Sequence, residues 1–171
     1  MISIDIGKKY LAFSYLNYED DSTTFGFMNF KKSSVLKDKI NHIVKHLEDF
    51  KNLKFIIVEQ QFNNNVSCMC IMYAIITFAA VNRISYEIFK PSIKFTYFNI
   101  KYDSKNKNHK KLSVSMVKVV MKQTQKQNYK LFKKLDKQDD IADSFLMLII
   151  SANKLNKNNY NEEIELLNNY N

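Results

Sequence analysis

The 171-residue chain holds two glycines, one proline and two cysteines, and each scarcity closes off a class of protein. Enzymes that cradle nucleotide phosphates on bare backbone need several glycine-rich turns so that amide groups can approach the anion. Gly7 and Gly26 are the whole supply. An actin-like sugar or acetate kinase, whose phosphate loop also follows a strand with an acid, a spacer and a glycine, is therefore set aside, and no nucleotide cofactor is expected. Cys68 and Cys70 lie two apart in an apolar segment; they make no zinc pattern, and an intracellular chain keeps its thiols reduced. They read as structural or incidental, with a place at a subunit contact as the alternative. The longest apolar stretch, Met72 to Val81, falls far short of the roughly 20 residues of a membrane-spanning helix. The opening residues lack the basic-then-apolar pattern of a signal segment. The expectation is a soluble, intracellular protein with no membrane partner.

Positive charge is plentiful. Lys+Arg number 26 against 17 Asp+Glu, a formal net charge of +9, which favours an acidic polymer as partner. Nearly all of it is lysine, a solvated point charge suited to phosphate backbone more than to base edges. Abundant Lys, Asn and Ile with little Gly, Ala and Arg also matches the codon bias of an AT-rich genome, which accounts for part of the lysine count. One compact core is the default at this length, and it buries roughly two-thirds of the unfolded surface without disulfide staples.

Residues Ile2 to Ile6 alternate and end at Gly7, and "YLAFSYLNY" resumes the pattern after "GKK", so the two read as adjacent antiparallel strands. "TTFGFMNF" is a third strand. "SSVLKDKINHIVKHLEDF" has helical apolar spacing, with Ser33 or Ser34 placed to cap it. "LKFIIVEQQ" fits a strand covered on both faces, "VSCMCIMYAIITFAAV" a buried helix, and "ISYEIFKPS" a strand stopped by Pro91. "KFTYFNIKYDSKNKNHKK" reads as a lysine-rich loop, "LSVSMVKVVMKQT" as a helix and "QDDIADSFLMLIISANKL" as a last helix. With right-handed crossovers this order predicts an α/β fold: a mixed five-stranded sheet, three strands antiparallel and then two parallel, flanked by helices. The domain is expected over residues 1–155, followed by a polar, fraying tail over 156–171.

The acids fall suggestively in this layout. Asp5 interrupts the apolar first strand, Glu59 ends the fourth, and Asp139, Asp140 and Asp143 open the final helix. Residues three apart on a helix share a face, so Asp140 and Asp143 can act together. Carboxylates gathered on one spot raise one another's pKa unless a cation neutralises them, and two Mg²⁺ ions held by shared acids support in-line phosphoryl displacement by water. Each acid also has a bland reading: Asp5 as a strand-end residue bonded to a turn, Glu59 as the end of a strand, and Asp140 and Asp143 as charges favoured at a helix N-terminus. Their joint order is what points to a site. His42 and His46, four apart on the first helix, lack a third ligand and read as surface histidines. Tyr97, Phe98 and Tyr102 are candidates to stack on unpaired bases.

"ISIDIGKKYLAFSYL", "FIIVEQQFNNN", "FKPSIKF" and "KQDDIADSFLMLI" together resemble the poxvirus-type Holliday junction resolvases, relatives of the bacterial RuvC resolvase within the ribonuclease H-like superfamily. The resemblance runs from Ile2 to about Ile150. It implies a ribonuclease H-like fold and a homodimeric, Mg²⁺-dependent endonuclease that cuts four-way DNA junctions with paired nicks, Mn²⁺ substituting, at a viral replication site in the host cytoplasm. It implies that Asp5, Glu59, Asp140 and Asp143 are the metal-binding carboxylates, and that Lys110 or its neighbour Lys111 is the catalytic lysine. The chain departs from the family pattern at Tyr10, where an asparagine is expected, and in a longer middle loop from Phe95 to Lys110. Lysines from Lys101 to Lys111, with Lys118 and Lys122, would then hold DNA backbone. A two-fold junction calls for two active sites related by symmetry, and the apolar helix from Val66 to Val81 is either core or the subunit contact. A ribonuclease H-like module that binds without cutting, and a nuclease for other branched DNA or RNA/DNA hybrids, are the rival readings.

Overall fold

Alternation in "ISIDI" sends Ile2, Ile4 and Ile6 to one side of a strand and Ser3 and Asp5 to the other, and the whole architecture hangs on that division. The structure, a computed structural model, describes residues 1–30, 35–50, 52–100, 108–155 and 160–169. The chain forms two compact units, Met1–Phe89 and Lys90–Asn171.

The first unit contains β1 (Ile2–Ile6), β2 (Tyr10–Leu16), β3 (Thr23–Asn29), α1 (Leu36–Asp49), β4 (Phe55–Glu59), α2 (Val66–Val81) and β5 (Ser85–Phe89). Its sheet runs β3-β2-β1-β4-β5. The β1–β2 and β2–β3 pairs are antiparallel, and the β1–β4 and β4–β5 pairs are parallel. This is the mixed order expected from the sequence. Ile2, Ile4, Ile6, Leu11, Ile56 and Val58 pack with Ile43 and Leu47 of α1 and with Cys68, Ile71, Met72 and Ile75 of α2 in one core. Ser3, Ala12, Ser14 and Ile57, on the opposite face, are buried too. That explains the nearly unbroken apolar run of β4, covered on both sides.

Gly7 makes the tight β1–β2 connection possible. Its N–H donates to the Tyr10 carbonyl at 3.0 Å, and a Cβ would stand 2.8 Å from that oxygen. Helix α1 starts after Val35 with no side-chain cap bond; Ser33 and Ser34 lie outside the described residues. Helix α2 buries Cys68, Ile71, Met72, Ile75 and Ala79 but leaves Val66, Tyr73 and Val81 exposed. It is thus both core and apolar surface. It ends with Ile84 N–H donating to Ala79 C=O at 2.8 Å and Arg83 N–H to Ala80 C=O at 3.2 Å, the paired bonds of a left-handed helix stop. Arg83 takes the left-handed position, φ 55°, where glycine is usual.

The second unit contains α3 (Ile93–Thr96), α4 (His109–Thr124), α5 (Lys126–Phe132), α6 (Gln138–Lys154) and α7 (Asn161–Asn168). Helix α6 is buried from Ile141 almost continuously to Ala152, packing on α4 and α7. Three elements differ from the sequence reading. The segment after Pro91, expected as loop, turns into α3 because Phe95 and Phe98 are buried. Helix α5 forms among lysines around the buried Phe132. The tail, expected to fray, carries α7: Tyr160 and Leu167 are buried, and Glu163 accepts a hydrogen bond from Gln125 Nε2 at 3.3 Å. The sequence reading draws one domain over 1–155 and a tail, whereas the compact units divide after Phe89 and the tail residues fall in the second unit.

Candidate active site

In the first unit the parallel register pairs Ile4 with Val58. One residue further along each strand stand Asp5 and Glu59, on the face opposite the isoleucines and on strands that lie ~4.8 Å apart. Both are partly exposed. An acid in the middle of an apolar strand is thereby accounted for: it sits where β1 and β4 run out side by side. Three residues beyond Glu59, Phe62 is 61% exposed. Gln61 N–H is held by Met72 Sδ at 3.5 Å and its amide donates to the Glu59 carbonyl at 3.3 Å, which fixes the chain as it leaves β4.

In the second unit the opening turns of α6 carry Asp139, Asp140 and Asp143. Each meets a lysine. Lys94 of α3, only 3% exposed, stands with its Nζ 3.0 Å from Asp143 Oδ2. Lys110, in the first turn of α4, donates to Asp139 Oδ2 at 2.6 Å and lies 3.5 Å from Asp140 Oδ1. Partial burial pulls the Lys110 ammonium down, but the hydrogen bond to Asp139 and the charges of Asp140, Asp139 and Asp143 outweigh it and hold the group above the usual lysine range. Burial likewise raises the Asp139 carboxyl, and the bond and charge of Lys110 overcome this and hold it below the usual carboxylate range. Lys111 makes no such ion pair among the described residues. With Lys110, Ser115, Lys118, Asp136 and Asp139 it lines an open cleft of about 500 Å³.

The structure thus sets Asp5 beside Glu59, and Lys110 beside Asp139 and Asp140. Among the described residues no group of three or more His, Cys, Asp or Glu side chains is gathered around one ion position. The donor chemistry of Asp5, Glu59, Asp140 and Asp143 fits a hard divalent cation, since all are carboxylate oxygens with no sulfur or imidazole among them. Asp140 and Asp143, 19% and 17% exposed, each lie beside a lysine ammonium, that of Lys110 and Lys94 respectively. Lys94 is the residue that sequence reasoning missed; its only signal was a place in "KPSIKF", one residue before a phenylalanine of the core. Two other expectations change. Phe98 is 1% exposed and so is not available to stack on bases, while the Tyr97 hydroxyl accepts a hydrogen bond from Asn153 at 2.5 Å. Tyr102 and the lysines over 101–107 lie outside the described residues. The His42 and His46 rings lie against each other tilted by 45°, centroids 4.3 Å apart, with no metal set around them among the described residues.

A five-stranded sheet in this mixed order, flanked by helices and with acids near the ends of the first and fourth strands, is the ribonuclease H-like fold. Solved structures agree. Fowlpox virus resolvase, solved with Holliday junction DNA, superposes with a TM-score of 0.61 at 24% identity over 90% of this chain and 98% of that one. Thermus thermophilus RuvC gives 0.55 at 12% identity over 91% and 97%. The yeast mitochondrial Holliday junction resolvase Ydc2 gives 0.56 at 17% identity over 99% and 82%. No curated protein matches in sequence. The chain belongs to the Poxvirus A22 protein family, which matches residues 1–156.

Proposed function

We propose that this protein is a metal-dependent, structure-selective endonuclease that resolves four-way and related branched DNA junctions by hydrolysing paired phosphodiesters. The observation that carries the reading is the oxygen-only acid set, Asp5 and Glu59 at paired strand ends and Asp140 and Asp143 on α6, in a family member whose fold is that of resolvases.

Asp5, Glu59, Asp140 and Asp143 would hold two Mg²⁺ ions, with Mn²⁺ as a substitute; such ions supply an activated water and stabilise charge on the leaving oxygen. Lys94 holds Asp143 in a fixed orientation. Lys110 offers a positive charge to the scissile phosphate, the stabilisation that most lowers a barrier of this kind. Lys111 and Lys118, on the cleft wall, attract the neighbouring backbone, and binding weakens steeply with added salt. Phe62 offers an exposed aromatic face to an unstacked base. Homodimerisation goes with this reading, because cutting two strands of a symmetric junction takes two sites. The surface that suits it is Val66, Tyr73 and Val81 of α2, an unusually apolar set for solvent. A place of action at the viral replication site in the host cytoplasm also goes with it. No described helix is long and apolar enough to cross a membrane.

The test is cleavage of a four-way junction in Mg²⁺ by wild type and by Asp140→Asn. Paired nicks by the wild type, and tight binding without nicking by the variant, are expected. Binding without cutting by the wild type supports a non-cleaving module instead. Equal cutting of flaps or RNA/DNA hybrids broadens the substrate class.

A further inference from the structure

Asp139 is the acid at the start of α6 that the proposed metal set leaves out, yet it makes the shorter of the two Lys110 contacts, 2.6 Å against 3.5 Å to Asp140. Lys110 needs a holder. Its side chain is 66% exposed, and fixing an exposed lysine in one rotamer costs side-chain entropy. An ammonium that swings freely stands near a given phosphate only part of the time. Successive residues on a helix lie ~100° apart around its axis, so Asp139 and Asp140 take the ammonium from two sides. Lys111, the next residue, lines the same cleft as Lys110 and Asp139 but has no ion pair of this kind among the described residues.

We propose that Asp139 is a positioning residue: it holds Lys110 beside Asp140, and thereby selects Lys110 over Lys111 as the lysine presented to the scissile phosphate. This rests on the nuclease reading above for its chemistry, and on the Lys110–Asp139 contact for its geometry. Asp139 is not a metal ligand. Lys111 is left to bind backbone, so the two adjacent lysines have different tasks.

The experiment is a double-mutant cycle in single-turnover junction cleavage, with Mn²⁺ affinity measured by calorimetry on the same proteins. Asp139→Asn slows cleavage by about tenfold or more while junction affinity and Mn²⁺ affinity stay within about twofold, and Asp139→Glu recovers part of the rate. Lys110→Ala slows cleavage at least as much, and the double variant is no slower than Lys110→Ala alone. Losses that multiply in the double variant overturn the proposal. So does a fall in Mn²⁺ affinity for Asp139→Asn as large as that for Asp140→Asn, or wild-type cleavage by Asp139→Asn. Amine labelling read by mass spectrometry gives an arm independent of activity. In the wild type Lys110 labels several-fold more slowly than Lys111, because the Asp139 carboxylate in contact with its ammonium at 2.6 Å shields it from the reagent, and Asp139→Asn narrows the difference. A wild type that nicks no branched DNA removes the nuclease reading, whereas equal labelling of the two lysines removes the positioning role.

Discussion

Replacing Lys94 with methionine removes a charge from the interior while keeping an unbranched chain of similar reach. The Lys94 ammonium, 3% exposed, lies 3.0 Å from a carboxylate that is itself 17% exposed. Taking one partner from such a pair strands the other in a medium that solvates it poorly, a loss of about 3–5 kcal/mol. Asp143 keeps some access to solvent and has further interactions, which places the expected loss at the low end, about 3 kcal/mol. For a chain of this size that lowers Tm by about 6–12 °C. The assay is urea unfolding followed by circular dichroism at neutral pH, with the m-value checked so that a change in midpoint reports stability. The paired replacement Lys94→Met/Asp143→Leu should recover most of the loss, since two apolar groups need no counter-charge. Added Mn²⁺ should stabilise Lys94→Met more than wild type, because removing a cation beside Asp143 strengthens its pull on a metal ion. A loss under about 1 kcal/mol, the size typical of an exposed pair, would refute the claim that Lys94 and Asp143 form a buried unit.

Arg83 holds a left-handed position at the end of α2, φ 55°, and Arg83→Gly should raise stability by about 1 kcal/mol in chemical denaturation, since glycine relieves the Cβ clash. Gly7→Ala should lower stability by about 1–3 kcal/mol and broaden amide resonances of β1 and β2, because the added carbon meets the Tyr10 carbonyl at 2.8 Å; an unchanged unfolding midpoint would contradict the turn geometry. The Lys110–Asp139 pair has a defined pH window. The depressed Asp139 carboxyl contributes stability above the ordinary carboxylate range and loses it as pH falls through its lowered value. The raised Lys110 ammonium contributes below the ordinary lysine range and loses it as pH rises through its elevated value. Both side chains are partly solvated, so the pair contributes about 0.5–1 kcal/mol; the unfolding difference between wild type and Asp139→Asn should be present at pH 7 and shrink as pH falls through the lowered Asp139 value.

Much of the sheet was legible because its signals are local. Alternation in "ISIDI", the Gly7 turn and the apolar run of "FIIVE" each state a strand and its environment, and the crossover rules order them. Helix α2 was legible to its ends, Val66 to Val81, since no charged residue interrupts it and Asn82 and Arg83 follow it. Helices α3, α5 and α7 were not. Each is short and set among Lys, Gln or Asn, and each forms because a few aromatic or aliphatic side chains, Phe95, Phe132 and Leu167, find buried places that only the tertiary fold provides. The site shows the same split. Asp5, Glu59, Asp140 and Asp143 stand out because an acid at a strand end or beside an apolar helix is conspicuous in one dimension. Lys94 does not stand out, because a lysine is presumed exposed until its carboxylate partner, distant in sequence, is seen. Lys110 and Lys111 are close rivals on paper, Lys110 first by its distance to the final helix; the 2.6 Å contact with Asp139 is visible only in the fold.

The most direct measurement is anomalous diffraction from a crystal of the protein with a four-way junction, grown in Mn²⁺. Two ion peaks touching Asp5, Glu59, Asp140 and Asp143 beside a DNA phosphate are predicted. Ordered DNA with no ion density at these carboxylates, or ions held by other side chains, would contradict the metal-dependent nuclease.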